Sequence, residues 1–221
     1  MSTILFVVSA ARSWTLADGT THPTGFWAEE LLTPYRLLTA AGHRIDIATP
    51  GGRLPVADPA SLRDGDAEAL AAIPGLDSPL VLSAVDVAAY DAVFYPGGHG
   101  PMEDLAVDAD SAALVSATLT AERPLALVCH GLAALLPART ASGEPVVAGR
   151  RLTAFSDEEE RQGGLADRAP FLLESALRAQ GAAVVVTEPW GDHVLVDGAL
   201  ITGQNPQSSG ATANALLEAL A

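Results

Sequence analysis

The apolar run Leu125-Ala126-Leu127-Val128 ends at Cys129-His130-Gly131, and a small-residue, helix-forming stretch, Leu132-Ala133-Ala134-Leu135, follows at once. Consecutive apolar residues closed by a turn read as a fully buried strand. A strand that gives way to a helix within so few residues needs a sharp turn at the cysteine, the thiol counterpart of the serine nucleophile elbow. That unit belongs to a parallel α/β sheet, and it constrains the fold more than any other segment. The turn lifts a sulfur from the carboxyl end of a strand to a helix N-terminus. There the helix dipole favours thiolate, and free backbone N–H groups face an oxyanion.

Strand and helix patterns alternate along the rest of the chain. Strands are predicted at Thr3–Val8, His43–Ala48, Ala92–Tyr95, Arg151–Phe155 and Ala182–Val186. Helices are predicted at Gly25–Ala41, Asp108–Ala121, Pro170–Ala179 and Asn205–Leu220. The first helix has Trp27, Leu31, Leu37 and Leu38 for its buried side, Pro34 as a kink or first-turn marker, and Gly42 as its stop. Residues 50–90 are rich in Pro, Gly and Asp and read as loops and short helices. His193–Val196 and Ala199–Thr202 flank Asp197-Gly198, a type I′ hairpin signal. Repeated β-α-β order implies a doubly wound, mostly parallel sheet of the flavodoxin-like kind, in a single domain over residues 1–221. Ligands of such sheets bind beyond the carboxyl ends of the strands. Both Gly97-Gly98 and Cys129-His130 fall at such ends.

The 221 residues are 49% hydrophobic, enough for a full core without staples. The net charge is -15, and all 12 basic residues are Arg. That balance argues against nucleic-acid and anionic-lipid partners, which need a basic footprint. Without Lys there is no Schiff-base catalysis. No apolar run approaches the ~20 residues of a membrane span. The N-terminal segment lacks a basic signal-peptide region, and a single thiol, Cys129, suits a reducing compartment, so a cytoplasmic location is expected.

Cys129 reads as a nucleophile, against the plainer alternative of a small buried hydrophobe. His130 need not be its base, because adjacent side chains diverge at a turn; its backbone N–H, with that of Gly98, is expected to line an oxyanion site. His99 is either a polar lid or a solvated turn residue. Glu29 and Glu30 open the first helix, and periodicity does not choose which of them faces the thiol; a half-buried carboxyl there would have a raised pKa. The run Asp157-Glu158-Glu159-Glu160 is either a solvated acidic face or the source of one acid that orients His130. His22, His43 and His193 lack metal-ligand spacing, so no metal is expected.

Taken together, several segments resemble the ThiJ/PfpI superfamily, whose fold is that of class I glutamine amidotransferases. They are Thr24–Pro34, Pro96-Gly97-Gly98-His99-Gly100, Val128–Gly131, Leu152–Glu160, Pro189-Trp190 and Ile201–Ser209. The nearest branch is that of heat-shock chaperones with glutathione-independent glyoxalase (glyoxalase III) activity. The resemblance implies Cys129 as nucleophile, His130 as its partner, Glu160 as the acid bonded to the histidine and Glu30 as the carboxyl beside the thiol. It also implies Gly97, Gly98, His99, Gly131 and Trp190 as oxyanion and substrate-binding residues, and a homodimer. Where relatives often carry proline after the elbow glycine, this chain has Leu132.

The leading expectation is therefore a cofactor-free cysteine lyase that takes a small aldehyde or dicarbonyl, methylglyoxal to lactate, in stress detoxification. The alternatives are a stress-responsive holding chaperone or cysteine oxidation sensor, and another thiol-dependent lyase or hydrolase such as an isocyanide hydratase or deglycase.

Overall fold

The computed structural model describes residues 1–221. Strand β1 (Thr3–Val7) leads into a small hairpin, β2 (Ser13–Thr15) and β3 (Thr21–Pro23), then α1 (Ala28–Ala40) and β4 (Arg44–Thr49). The irregular segment that follows holds α2 (Asp66–Ala71) and β5 (Leu80–Val81). Next come β6 (Ala92–Tyr95), α3 (Gly100–Glu103), α4 (Ala109–Thr120) and β7 (Leu125–Val128). The remainder is β8 (Arg151–Leu152), α5 (Asp157–Gly163), α6 (Leu173–Ala179), β9 (Ala183–Val184), the hairpin β10 (Val194–Asp197) and β11 (Leu200–Gly203), and α7 (Ser209–Ala219).

Seven strands form one sheet in the order β10-β11-β7-β6-β1-β4-β5. All neighbours are parallel except the β10–β11 hairpin. The chain winds outward from β1 through β4 to β5, then returns to β6 on the other side of β1. Between β1 and β6 the winding reverses, and such a switch point opens a crevice at the strands' carboxyl ends. Strands β6 and β7 are buried at every residue, as the near-continuous apolar runs of a two-sided parallel sheet require. Phe6 and Phe94 stack across β1 and β6 at 4.7 Å, inside one continuous core of 52 buried residues.

The architecture matches the expected doubly wound sheet, while several boundaries move for identifiable reasons. Helix α1 starts at Ala28, not Gly25, because the Phe26 N–H is drawn to Val56 O and the Trp27 N–H to Gly97 O. Pro34 lies in its middle, where it lacks the N–H that would bond the Glu30 carbonyl. Leu31 and Leu38 are buried; Trp27 and Leu37 are only half-buried. The strand predicted over 151–155 stops at Leu152, since the Thr153 N–H goes to Thr202 Oγ1 and Ser156 already caps α5. Likewise α6 begins at Leu173 rather than Pro170, and β9 keeps only Ala183–Val184. A 3₁₀ turn, Pro206–Ser208, precedes α7. In the β10–β11 loop only Gly198 has a positive φ, +60°, which excludes type I′ and fits type II′. The segment Cys129–Leu135 is a 3₁₀ turn with all seven residues buried, not an α-helix.

Candidate active site

Cys129 follows directly on β7 with φ +57°, a left-handed conformation that a non-glycine residue adopts only under constraint. Gly131 makes the turn possible. A Cβ there would meet Tyr95 O at 2.5 Å, so only glycine lets the turn lie against the end of β6. Cys129 is 3% exposed. Backbone N–H groups of His130 and Gly98 point at it and favour its anion.

The imidazole of His130 does not diverge from the thiol, contrary to the expectation from adjacency. The left-handed elbow brings the two side chains together, with Sγ and Nδ1 3.3 Å apart. On its far side Nε2 lies 2.7 Å from Glu160 Oε2, while Glu160 Oε1 lies 2.9 Å from His99 Nε2. Burial alone would raise the Glu160 carboxyl, but the charges and hydrogen bonds of His130 and His99 outweigh it and hold the group well below the usual carboxylate range. Burial, then the neighbouring His99, lowers the His130 pKa, so the ring is neutral at neutral pH. An ionised Glu160 accepts the Nε2–H, which leaves the Nδ1 lone pair facing the sulfur as a base.

Glu30 is the carboxyl beside the thiol; Glu29 turns outward to Arg63, 2.9 Å away. Oε2 of Glu30 accepts the Gly97 N–H at 2.6 Å, whereas Oε1 has no partner elsewhere in the protein. Glu30 also lies within hydrogen-bonding reach of Cys129. Burial pushes its pKa up to about 8, against the opposing effects of Cys129 and the Gly97 N–H. A protonated carboxyl accounts for the empty oxygen, because it is a donor there and the sulfur is the group in reach. Burial, then the Glu30 charge, pushes the Cys129 thiol up as well. The expected lowering by a helix dipole is thus reversed: a short 3₁₀ turn does not outweigh burial, to which an ionised Glu30 would add. Once Glu30 takes a proton the repulsion disappears, and its O–H stabilises a thiolate instead.

These groups open on a cavity of about 280 Å³ at the carboxyl ends of β6 and β7. Gly98, His99, Cys129, His130, Glu160 and Trp190 line it. Gly97 and Gly131, expected as oxyanion or substrate-binding residues, are not in the wall; Gly97 packs against Glu30 and the His130 N–H, and Gly131 against the Tyr95 and Pro96 carbonyls. The acidic run divides. Glu158 is solvated, but Glu159 and Glu160 are buried. A buried Glu159 carboxylate accepts from Ser156 N and Oγ, Trp190 N, Gln204 Nε2 and Asn205 Nδ2, which ties α5 to the Trp190 loop.

Sequence reasoning considered His22 only as a metal ligand and missed Asp58, both of which line the cavity, and Trp14, which stacks on His99 at 5.2 Å. They come from the β2–β3 hairpin and an irregular loop, which carry no periodic signal. Donor atoms of His99, His130 and Glu160 lie within 4.8 Å of one another, so this set, rather than any sequence-spaced histidines, is what a metal ion would find. Hydrogen bonds to Glu160 already engage both rings.

Residues 22–219 match the model of the DJ-1/PfpI family, and the chain belongs to that family. It is 29% identical to the glutathione-independent glyoxalase hsp3101 of Schizosaccharomyces pombe, over 97% of this chain and 94% of that protein. The crystal structure of the 24 kDa Rapid Encystment Protein of Francisella tularensis is similar with a TM-score of 0.91 and 30% identity, covering 100% of both chains. Glyoxalase III of Candida albicans shares the fold with a TM-score of 0.82 at 24% identity, over 99% of this chain and 97% of that one. No helix is long and apolar enough to cross a membrane.

Proposed function

We propose that the chain is a glutathione-independent glyoxalase, with Cys129 as nucleophile and an α-oxoaldehyde such as methylglyoxal as substrate. The observation that carries this reading is the pairing, at one sulfur, of a protonated buried acid (Glu30) with a neutral base (His130). Isomerising an α-oxoaldehyde needs a nucleophile to hold the aldehyde carbon and an acid–base pair to move hydrogen between neighbouring carbons. The similarity to named glyoxalases supports it independently.

His130 Nδ1 takes the thiol proton, and the sulfur adds to the aldehyde carbon. The resulting alkoxide sits by the Gly98 and His130 N–H groups and recovers the proton as a hemithioacetal hydroxyl. Glu30 donates its proton to the ketone oxygen. His130 removes the hydrogen of the former aldehyde carbon and delivers it to the former ketone carbon. Glu30 then accepts the hemithioacetal hydroxyl proton, leaving a thioester. Water attacks the thioester with His130 as base, releasing lactate and the thiol. The sum is methylglyoxal plus water giving lactate.

Purified protein should form lactate from methylglyoxal without added glutathione, and Cys129→Ala should lose at least about 10³-fold in kcat/KM. Equal rates in the two proteins would end this reading.

A further inference from the structure

We infer that the pocket takes α-oxoaldehydes carrying a neutral apolar or aromatic group larger than methyl, and that Trp190 is the residue that selects them; the inference rests on the glyoxalase reading above. Methylglyoxal fills about as much space as three waters, at ~30 Å³ each. The cavity of about 280 Å³ is roughly three times larger. Its wall carries an apolar set, Trp27, Phe155, Leu165, Trp190 and Pro206, interrupted by His22 and Asp58. No Arg lines it, so a substrate carboxylate or phosphate would meet no cation. The two wall carboxyls are already committed: Asp58 to the Thr24 hydroxyl and the Ala60 N–H, and Glu160 to its histidines.

Trp190 is held for a purpose other than filling the core. It is 38% exposed, yet its φ is +64°, a conformation that is costly for a bulky residue. The strain is sustained by its backbone N–H on Glu159 Oε1 at 2.8 Å and its indole N–H on Gln162 Oε1 at 2.7 Å. The ring stands edge-on to Phe155 at 5.5 Å, and the two make an aromatic corner. A flat apolar substituent beside the reacting carbonyls would lie in that corner. The reaction is the one written above, with an aryl or branched group in place of methyl. The sulfur bonds the aldehyde carbon, that carbon is oxidised while its ketone neighbour is reduced, and water releases a 2-hydroxy acid and the thiol.

The test measures kcat/KM for methylglyoxal, phenylglyoxal and 4-carboxyphenylglyoxal with the wild-type protein, Trp190→Ala and Trp190→Phe. Each value is divided by the reactivity of the same aldehyde toward a free small thiol. Phenylglyoxal should exceed methylglyoxal by about tenfold or more in the wild type, and the carboxylated analogue should fall back by about tenfold. The phenylglyoxal-to-methylglyoxal ratio should drop about tenfold in Trp190→Ala and persist in Trp190→Phe. Should Trp190→Ala not fold, the wild-type preferences and Trp190→Phe still decide. Turnover of methylglyoxal with a ratio near one in the wild type, or an unchanged ratio in Trp190→Ala, overturns the inference and leaves the glyoxalase reading standing. Turnover of neither aldehyde overturns both.

Discussion

Glu30 and Glu160 are both buried carboxyls, 0% and 3% exposed, on opposite sides of the Cys129-His130 dipeptide. They carry opposite protonation states. Glu160 faces two imidazoles and is held ionised. Glu30 faces one backbone N–H and a sulfur, and burial holds it protonated up to a pH of about 8. Burial pushes both the same way, so partners alone separate them. Two identical side chains thereby supply an acid and an anchor to one site, a division of labour set by environment.

Removing the acid should have the largest effect on activity. Glu30→Gln keeps the shape and an acceptor for the Gly97 N–H but has no proton to exchange. Its kcat/KM for methylglyoxal should fall about 10²- to 10⁴-fold. A loss below tenfold would show that His130 alone moves the hydrogen.

The same contrast should appear in stability. The folded-state pKa of Glu30 lies above that of the unfolded chain, so its contribution is fully present below about pH 4.5 and is lost as pH rises toward about 8. Across that window the folded state binds the extra proton, and Glu30 alone should lower unfolding free energy by up to about 1.4 kcal/mol per pH unit. Glu30→Gln should remove this slope in urea melts and gain stability relative to wild type at pH 8. Glu160 has the opposite sign. Its folded pKa is depressed, so its contribution is present above the unfolded value and disappears only in acid.

Glu160→Gln probes the anchor. It removes the ionised acceptor that fixes the His130 tautomer, and the effect passes through His130 rather than through substrate. Activity should fall by about 10²-fold or more, because an amide in place of the acid can hold the imidazole in the wrong tautomer. The loss should be in kcat more than KM, because the cavity wall stays in place.

This carboxylate contrast was only partly legible in the sequence. Strands β1, β6 and β7 were readable because unbroken apolar runs admit little else in a buried parallel sheet. Helix α4 was readable because Asp108 caps it through the Ser111 N–H. The motif at 24–34 indicated Glu30 by resemblance, but the choice over Glu29 is settled by a contact between distant segments, Gly97 with Glu30. Nothing local tells that Glu159 and Glu160 turn inward while Glu158 does not. The capping box of Ser156 and Glu159 sets their rotation, and the interior partners come from distant segments, Trp190, Gln204 and Asn205 for Glu159 and His99 and His130 for Glu160. The β2–β3 hairpin escaped because its strands are short and half-exposed, so they carry no usable period. The Cys129–His130 contact escaped because it depends on a positive φ that L-residues seldom adopt.

His99 should give the smallest effect, and it sharpens the contrast most. It donates to the Glu160 oxygen that His130 does not use, and it is stacked on Trp14, so its removal leaves the His130–Glu160 bond in place. His99→Phe keeps a ring for that stack. The rate should fall by less than about tenfold, since the orienting bond survives. The pH profile should move more clearly. His99 lowers the His130 pKa, and its hydrogen bond draws charge from Glu160. Without it Glu160 becomes the stronger acceptor, and His130 takes up a proton at higher pH. Because His130 works as a neutral base, the acidic limb of kcat/KM against pH should shift upward. A limb that stays in place would mean that Glu160 is held ionised by His130 alone and that His99 serves only as wall.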